Sequence, residues 1–280
     1  MHRAPGLSAR ARDEVGGIVD DETKRLLVQG PQPTDARTRR AAIEQIVSRL
    51  ESAYGASIVA IGLYGSTARD ADRDYSDIEL FCVVSIPGEC RRREWVDADG
   101  KYEVEVFGAD VVRNRAAELD EAWPVTHAKY ANPRILRGGP ALFAELKRLV
   151  FDHSEADFYE VIRSIIVGEM FEGLGKVRNS MSSGGHDQLP RVLMRIATMA
   201  QLLVGLAHRH IFTSSGLAAV ESMQLAPRPS GHDELCTMAM RGELDNPDHT
   251  SEVIERYWIG VVEWAADMHI DLALACKWPF

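Results

Sequence analysis

Two carboxylates, Asp77 and Glu79, lie at the start of an apolar segment that continues to Val84. Side chains two residues apart share one face of a β-strand, so these carboxylates would lie side by side. Such a pair repels itself unless a cation sits between the oxygens. Mg²⁺ suits this position because it prefers oxygen ligands and keeps further sites for water and phosphate. The spacing therefore predicts a magnesium site at Asp77 and Glu79.

A Gly-Ser pair, Gly65 and Ser66, ends the preceding apolar segment, which begins at Ile58. Glycine lets the backbone approach a ligand closely, and serine offers a hydroxyl and an N–H to a phosphate at the start of a short helix. Arg69 is close enough along the chain to reach the same phosphates. Each motif alone is common, but their order favours a nucleotide site. The alternative is an ordinary connection with solvated carboxylates.

Further carboxylates are expected on a strand over 101–107, where polar and apolar residues alternate. Glu103 and Glu105 would share one face of that strand, opposite the apolar side chains. If the strand lies beside the one that begins at Asp77, a third acidic group faces the same cleft.

A helix further along the chain carries the next charged group. Ser154 and Asp157 match a capping box, which marks a helix start. A stripe in steps of three and four then follows: Phe158, Ile162, Ile165, Glu169, Glu172 and Lys176. If these residues share one face, an apolar stripe that turns charged indicates that the core opens there into a cleft. The alternative is a Glu172–Lys176 ion pair on an exposed helix.

The elements that must position these residues change character near residue 150. Before it, helices are expected over about 34–55 and 110–122, strands over 58–64, 78–84 and 101–107, and irregular chain over 125–140. Beyond it, only helices are expected, over about 154–176, 190–212, 234–240 and 251–268.

These elements predict an α+β fold, with an N-terminal mixed sheet and helices followed by a C-terminal helical bundle. The expected division is an extension at 1–35, a sheet domain at 36–150 and a helical domain at 151–280. The basic run Arg91 to Arg93 favours a solvated loop. The histidines His208, His210 and His232 favour packing or polar satisfaction over chemistry.

Composition excludes several classes of function. The chain has 280 residues and a formal net charge of -10, which argues against a surface that grips nucleic acid and suits a polycationic small substrate. Four scattered cysteines give no zinc-ligand or disulfide pattern. Neither a secretory signal nor an apolar run long enough to cross a membrane is recognisable, which predicts a cytoplasmic protein.

The combined motifs resemble those of a known enzyme family. Gly62-Leu63-Tyr64-Gly65-Ser66, Arg69 and Tyr75-Ser76-Asp77-Ile78-Glu79 are similar to the signature of the nucleotidyltransferase superfamily that includes DNA polymerase beta. Later segments resemble the kanamycin (aminoglycoside 4'-O-) nucleotidyltransferases. These segments are 123–127, Phe171-Glu172, Gly175-Lys176, Arg178-Asn179, 205–209 and 229–233. The likeness covers nearly everything after about residue 40.

The resemblance implies roles for particular residues. Glu172 matches the general base, and Lys176 matches a lysine near the nucleotide phosphates, which Gly65, Ser66 and Arg69 would also hold. The family's acidic residue four positions before the base is replaced here by Gly168, with Glu169 beside it. Glu105 is expected to support the metal site or contact ammonium groups of the substrate. The residues implied for substrate binding are Glu94, Glu105, Glu169 and Glu172.

The implied reaction is transfer of AMP from ATP, with Mg²⁺, to the 4'-hydroxyl of aminoglycosides such as kanamycin, amikacin and tobramycin. The implied assembly is a homodimer with the active site shared between subunits. Two alternatives are a nucleotidyltransferase that modifies a nucleic acid or a protein, and a non-catalytic nucleotide-binding regulatory module. The acidic chain disfavours the first. The presence of Asp77, Glu79 and Glu172 disfavours the second.

Overall fold

A computed structural model describes residues 21–272 of the chain. The first twenty residues of the expected extension and the last eight residues of the helical domain lie outside the described residues. The strands are Ile58–Tyr64 (β1), Ile78–Val84 (β2), Cys90–Asp97 (β3), Gly100–Gly108 (β4) and Arg134–Gly138 (β5).

The helices fall into two groups along the chain. Those before the last strand are Asp21–Gln29 (α1), Ala36–Tyr54 (α2), Gly65–Ala68 (α3), Ala109–Ala116 (α4), Trp123–Thr126 (α5) and Ala128–Ala131 (α6). Those after it are Pro140–Phe151 (α7), Glu155–Ser164 (α8), Phe171–Ser183 (α9), Leu189–Ala207 (α10), Ala218–Ser222 (α11), His232–Arg241 (α12) and Pro247–Asp267 (α13). A π-helical turn, Ile165–Met170, joins α8 to α9. This order confirms the α+β fold with a C-terminal helical region.

The five strands form one mixed sheet in the order β3-β4-β2-β1-β5. Strands β2 and β4 are parallel, and the other neighbours are antiparallel. The register of the parallel pair sets Glu79 opposite Glu103, and Phe81 opposite Glu105. The sheet therefore brings together the carboxylates that the sequence placed on two separate strands.

Helix α2 covers one face of the sheet, as its helical spacing predicts. Asp35 caps its start by accepting a hydrogen bond of 2.7 Å from the backbone N–H of Thr38. Gly55 follows its last residue with a positive φ of 49°. The core between helix and sheet is formed by Ile43, Ile46, Val47 and Leu50 with Ile61, Leu63, Ile78, Leu80, Cys82, Val84, Tyr102, Val104 and Val106. Packing on this face turns the glutamates of β4 towards the other face.

The opposite face of the sheet continues directly into the helical region. Phe81, Val83 and Phe107 belong to the same buried cluster as Phe158 of α8 and Leu206 of α10. The sheet carboxylates consequently lie at the edge of a shared core, where helical residues can reach them.

Three sequence expectations are wrong in detail. Arg91 to Arg93 belong to strand β3 rather than to a loop, because β4 offers a free edge and an edge strand tolerates exposed charges. The helix expected to reach residue 122 ends at Ala116. The segment expected to be irregular over 125–140 contains α5, α6 and β5. Strand β5 has only five residues, too few to show a periodic pattern.

The charged stripe on the helix from Ser154 is also not as predicted. The buried stripe runs instead, again in steps of four and three, through Phe158, Ile162, Ile166, Met170, Leu174 and Val177. Ile165, in the π-helical turn, is buried beside it. Glu172 and Lys176 lie beside this stripe, not in its continuation. Spacing of three and four fits both stripes, and only the packing of the helix shows which one is buried.

Helix α10 with its preceding turn, residues 186–207, is long and apolar enough to span a membrane by length and composition alone. Its apolar window is 61% buried inside the protein. It therefore serves as the central core helix of the C-terminal region.

Candidate active site

The turn after β1 approaches the acidic strand very closely. Gly65 has a positive φ of 72°, and a Cβ atom at this position would lie 1.9 Å from Oε2 of Glu79. The positive φ therefore favours glycine, and any side chain here would displace the Glu79 carboxylate. Thr67, in the same turn, donates a hydrogen bond of 3.1 Å from Oγ1 to the backbone carbonyl of Asp77. The Gly-Ser turn and the D-x-E strand thus form one fixed unit.

A cavity of about 800 Å³ opens at this end of the sheet. We call it the sheet-end cavity. Of the predicted site residues, it is lined by Gly65, Ser66, Arg69, Asp77, Glu79 and Glu105. The proximity expected from the spacing of the two motifs is therefore present, and Glu105 faces the same space as Asp77 and Glu79. Glu94, on strand β3, does not line this cavity.

The acidic cluster strongly perturbs its own ionisation. Burial, followed by the charges of Asp77 and Glu103, raises the pKa of Glu79 to about 7. The phenol of Tyr64 hydrogen-bonds to Glu103 (3.1 Å) and Glu105 (3.4 Å). Burial and these carboxylates raise the pKa of Tyr64, which keeps the phenol protonated as a donor. Burial alone would raise the pKa of Glu103, but hydrogen bonds from Arg92 and Tyr64 outweigh it and lower the pKa.

Three cations that sequence reasoning did not assign lie around the acidic cluster. Lys101 is 3.5 Å from Asp77, Arg92 is 2.9 Å from Glu103, and Lys129 is 2.5 Å from Glu105. No periodic pattern marked Lys129, because it lies on the single-turn helix α6. Arg92 was not assigned to the site because residues 91–93 were expected to form a solvated loop. The segment 213–217, which precedes α11, completes the cavity wall from the helical region.

The donor set at Asp77 and Glu79 fits a magnesium ion. Glu79 has no ion-pair partner within 4 Å among residues 21–272, and burial with the charges of Asp77 and Glu103 raises its pKa despite Lys101 and Lys129. In the same residues, no group of three or more His, Cys, Asp and Glu side chains is arranged as a complete metal site. Two carboxylates are still sufficient where substrate phosphates and water supply the other ligands.

Glu172 and Lys176 line a different cavity. It has a volume of about 480 Å³, lies between α9 and α10, and also contains Glu169 and Arg195. We call it the helical cavity. Glu172 Oε1 is 2.7 Å from Lys176 Nζ, and their side chains are 67% and 58% exposed. The hydrogen bond and charge of Lys176 lower the pKa of Glu172. Glu169 accepts a hydrogen bond of 2.6 Å from Nε of Arg195.

The two cavities share no lining residue. A single chain therefore does not bring Glu172 into the cavity that holds Asp77 and Glu79. The histidines behave as expected from the sequence, as hydrogen-bonding groups of the fold. Nε2 of His208 bonds to the carbonyl of Pro227 (2.8 Å), His210 to Glu221 (3.1 Å), and His232 to Ser222 (2.9 Å).

Solved structures with a related fold score low against this chain. A nucleotidyltransferase-like protein from Exiguobacterium sibiricum gives a TM-score of 0.46 at 12% identity, covering 80% of this chain and 75% of that one. Spectinomycin adenyltransferase AAD(9) from Enterococcus faecialis, solved with ATP and spectinomycin, gives 0.40 at 12% identity, covering 79% and 98%. At these scores neither structure carries an inference about the site.

Sequence relatives are much closer. Residues 140–271 match the family described as the KNTase C-terminal domain. The aminoglycoside nucleotidyltransferases (4') of Staphylococcus aureus and of a Bacillus species are each 30% identical to this chain over 253 residues. The matched region covers 90% of this chain and 100% of each relative. The chain therefore belongs to the aminoglycoside 4'-nucleotidyltransferase family.

Proposed function

We propose that the protein transfers AMP from ATP to the 4'-hydroxyl of aminoglycosides such as kanamycin, amikacin and tobramycin, and so confers resistance to them. The observation that carries the proposal is the Gly65-Ser66 turn fixed against Asp77 and Glu79 in one cavity, in a chain that matches these enzymes along their whole length. The acidic chain suits a polycationic substrate, and ATP and Mg²⁺ are available in the cytoplasm, where we place the reaction.

The sheet-end cavity supplies the nucleotide site in this proposal. Ser66 and Arg69 bind the phosphates, and Gly65 leaves room for the backbone to approach them. Asp77 and Glu79 hold one Mg²⁺, which would neutralise charge on the phosphate oxygens as pyrophosphate leaves. Cation binding would also remove the repulsion that raises the pKa of Glu79.

Glu172 is the general base in this proposal. A sugar hydroxyl is a poor nucleophile at neutral pH, so a carboxylate must accept its proton as the oxygen attacks the α-phosphorus. Lys176 lowers the pKa of Glu172, which keeps the base ionised at neutral pH. When nucleotide binds, Lys176 exchanges this carboxylate for a phosphate oxygen. Glu169 contributes acidic surface for substrate ammonium groups beside the base.

Since one chain holds the base and the carboxylate pair in separate cavities, a second copy must complete each site. An exposed apolar surface beside the base supports a homodimer. Phe171 and Ile259 are 60% and 55% exposed, Val167 and Val262 are also exposed, and the ring of Phe171 lies 5.6 Å from that of Trp258. We propose that this surface on α9 and α13 packs against the partner and directs Glu172 towards its sheet-end cavity.

Subunit complementation tests the reaction and the shared site together. Asp77→Asn and Glu172→Gln are purified separately, then dissociated and reassociated as a mixture. Transfer is followed by mass spectrometry of kanamycin after incubation with ATP and Mg²⁺. Each variant alone should be nearly inactive. Random pairing makes half the dimers mixed, each with one intact site, so the mixture should recover about a quarter of wild-type activity.

Two outcomes would contradict the proposal. Full activity of Glu172→Gln alone would remove Glu172 as the base. Absence of recovery in a mixture shown by native mass spectrometry to contain mixed dimers would remove the shared site. A parallel assay with transfer RNA as acceptor should show no incorporation of AMP, which distinguishes the aminoglycoside enzyme from one that modifies nucleic acid.

A further inference from the structure

A lysine lies almost buried in the wall of the sheet-end cavity. Lys129 Nζ is 2.5 Å from Oε2 of Glu105, and the two side chains are only 17% and 5% exposed. Its ammonium also lies 5.6 Å from the ring centre of Tyr64, 5.8 Å from that of Phe107 and 5.2 Å from that of Tyr130. The aromatic faces and the carboxylate together compensate a charge that has lost most of its water.

The four carboxylates in the wall of this cavity differ in how far their charge is compensated by neighbouring groups. Glu103 is occupied by Arg92 and Tyr64, and Glu105 is occupied by Lys129. Within the described part of the chain, the Asp77 carboxylate has only the loose 3.5 Å contact with Lys101. The wall thus carries four carboxylates, but two of them are already paired, Glu103 with the exposed Arg92 and Glu105 with the nearly buried Lys129. Negative charge is available to a ligand mainly at Asp77 and Glu79.

The ion pair of Glu105 and Lys129 affects how a polycationic ligand can bind. An ammonium group that approached Glu105 would be repelled by the ammonium of Lys129, which lies 2.5 Å from that carboxylate in a cavity wall where water screens charges weakly. Glu105 therefore cannot act as the acidic contact that the sequence resemblance implied, as long as Lys129 holds it. A neutral hydroxyl would be accepted there, because both members of the pair can hydrogen-bond to it.

We infer that Lys129 is a specificity-determining residue, which reserves the Glu105 corner of the cavity for a neutral, hydroxyl-bearing part of the substrate and excludes ammonium groups from it. The inference rests on the proposed function for the identity of the substrate, but not for the charge balance itself. Removing the lysine exposes one more carboxylate to a cationic ligand. Removing the glutamate leaves an uncompensated ammonium in the wall.

The test is a double-substitution cycle read by binding rather than by turnover. Isothermal titration with kanamycin, and with spermine as a polycation that is no substrate, is carried out on wild type, Lys129→Gln, Glu105→Gln and the double variant. We expect Lys129→Gln to bind both ligands about five- to tenfold more tightly and Glu105→Gln to bind them more weakly by a similar factor. The double variant, which has the wild-type net charge, should return close to wild-type affinity.

A purely structural role predicts a different result. Breaking a buried pair from either side should lower Tm in both single variants, because each leaves one buried charge unpaired. Opposite changes in affinity alongside parallel changes in Tm support the specificity role. Affinity changes of the same sign in both single variants, or none, would overturn it. Lys147→Gln is the matched control, since Lys147 is exposed on α7 outside the cavity lining and should alter neither affinity.

The spermine titration separates this inference from the proposed function. If kanamycin proves not to be a substrate, spermine still reports how Lys129 balances the acidic wall. If kanamycin is adenylylated but the two single variants shift affinity in the same direction, the proposed function stands and the role of Lys129 falls.

Discussion

The two cavities hold similar residue types in opposite physical environments. In the sheet-end cavity Glu103 and Glu105 are buried, Glu79 is partly buried, and burial together with neighbouring charge raises the pKa of Glu79 to about 7. In the helical cavity Glu172 and Lys176 are mostly exposed, and the pKa of Glu172 is lowered by its lysine. The first cavity is preorganised by the fold of one chain. The second presents its charges on a helix surface beside an apolar patch.

This contrast indicates that the two cavities are suited to different chemical roles. Buried carboxylates that repel one another are suited to hold a cation, because the fold fixes them before the ligand arrives. An exposed, ionised carboxylate is suited to accept a proton once another surface covers it, because burial then raises its pKa towards neutral pH.

Asp77→Asn should lower kcat for aminoglycoside modification by about a hundred- to a thousandfold. It removes one of the two carboxylates that we propose hold the metal ion, and with it a fixed charge that helps to stabilise the transition state. Its Tm in the absence of metal should stay unchanged or rise, since Asp77 repels Glu79 and its contact with Lys101 is loose and exposed. Steady-state kinetics and thermal unfolding in EDTA measure both effects. Asp267→Asn, at the exposed end of α13, is the control. A clear fall in Tm would show that the carboxylate pair is structural.

Glu172→Gln should lower kcat by about a hundredfold or more while ATP binding is retained, because only proton transfer is removed. Stability should hardly change, since the ion pair with Lys176 is exposed. Kinetics and nucleotide titration are compared with Glu252→Gln, an exposed glutamate on α13. Loss of ATP affinity instead of kcat would assign Glu172 to nucleotide binding.

Gly65→Ala should reduce kcat/KM by about tenfold, because the added methyl group displaces the Glu79 carboxylate. We propose that this carboxylate is a metal ligand. The positive φ adds a stability cost of about 1–2 kcal/mol for a non-glycine residue. The matched substitution in the helical cavity region is Gly175→Ala on α9, where a Cβ meets nothing within 4 Å. That variant should be as active as wild type and slightly more stable. Equal effects of the two substitutions would contradict the difference in preorganisation.

His232 extends the comparison to a buried ionisable group of the helical region. Burial lowers the pKa of His232 to about 4, below the ordinary value of 6.5. The unfolded chain therefore takes up a proton between pH 6.5 and 4 that the folded protein does not, so stability present above pH 6.5 is lost as the pH falls towards 4. The loss should be on the order of 3 kcal/mol.

Denaturant unfolding across this pH range measures the His232 effect. His232→Gln should flatten the slope of stability against pH, whatever it does to stability at pH 8. The exposed His249→Gln should leave the slope as in wild type. An unchanged slope in His232→Gln would assign the acid sensitivity to other groups.

Local sequence patterns were sufficient wherever the chemistry depends on neighbours in the chain. The Gly65-Ser66 turn and the pair Asp77 and Glu79 follow from strand alternation. In the structure the two motifs pack so closely that a Cβ atom on Gly65 would lie 1.9 Å from Oε2 of Glu79. The face of Glu103 and Glu105 followed from the same alternation. The helix over 36–54 was equally readable, because helical periodicity is a local property.

Only the tertiary structure decided which groups compensate which charges. Lys129 contacts Glu105 from 24 residues away along the chain. Arg92 contacts Glu103 from the edge strand β3, which the sequence had predicted to be a loop. Two stripes of helical spacing run along the helix from Ser154, and packing buried the one through Met170 and Leu174 rather than the one through Glu172. Sequence alone determined the residue types that can bind a phosphate, a metal and a proton. Their environments depend on long-range packing, because burial and distance set the strength of every charge interaction.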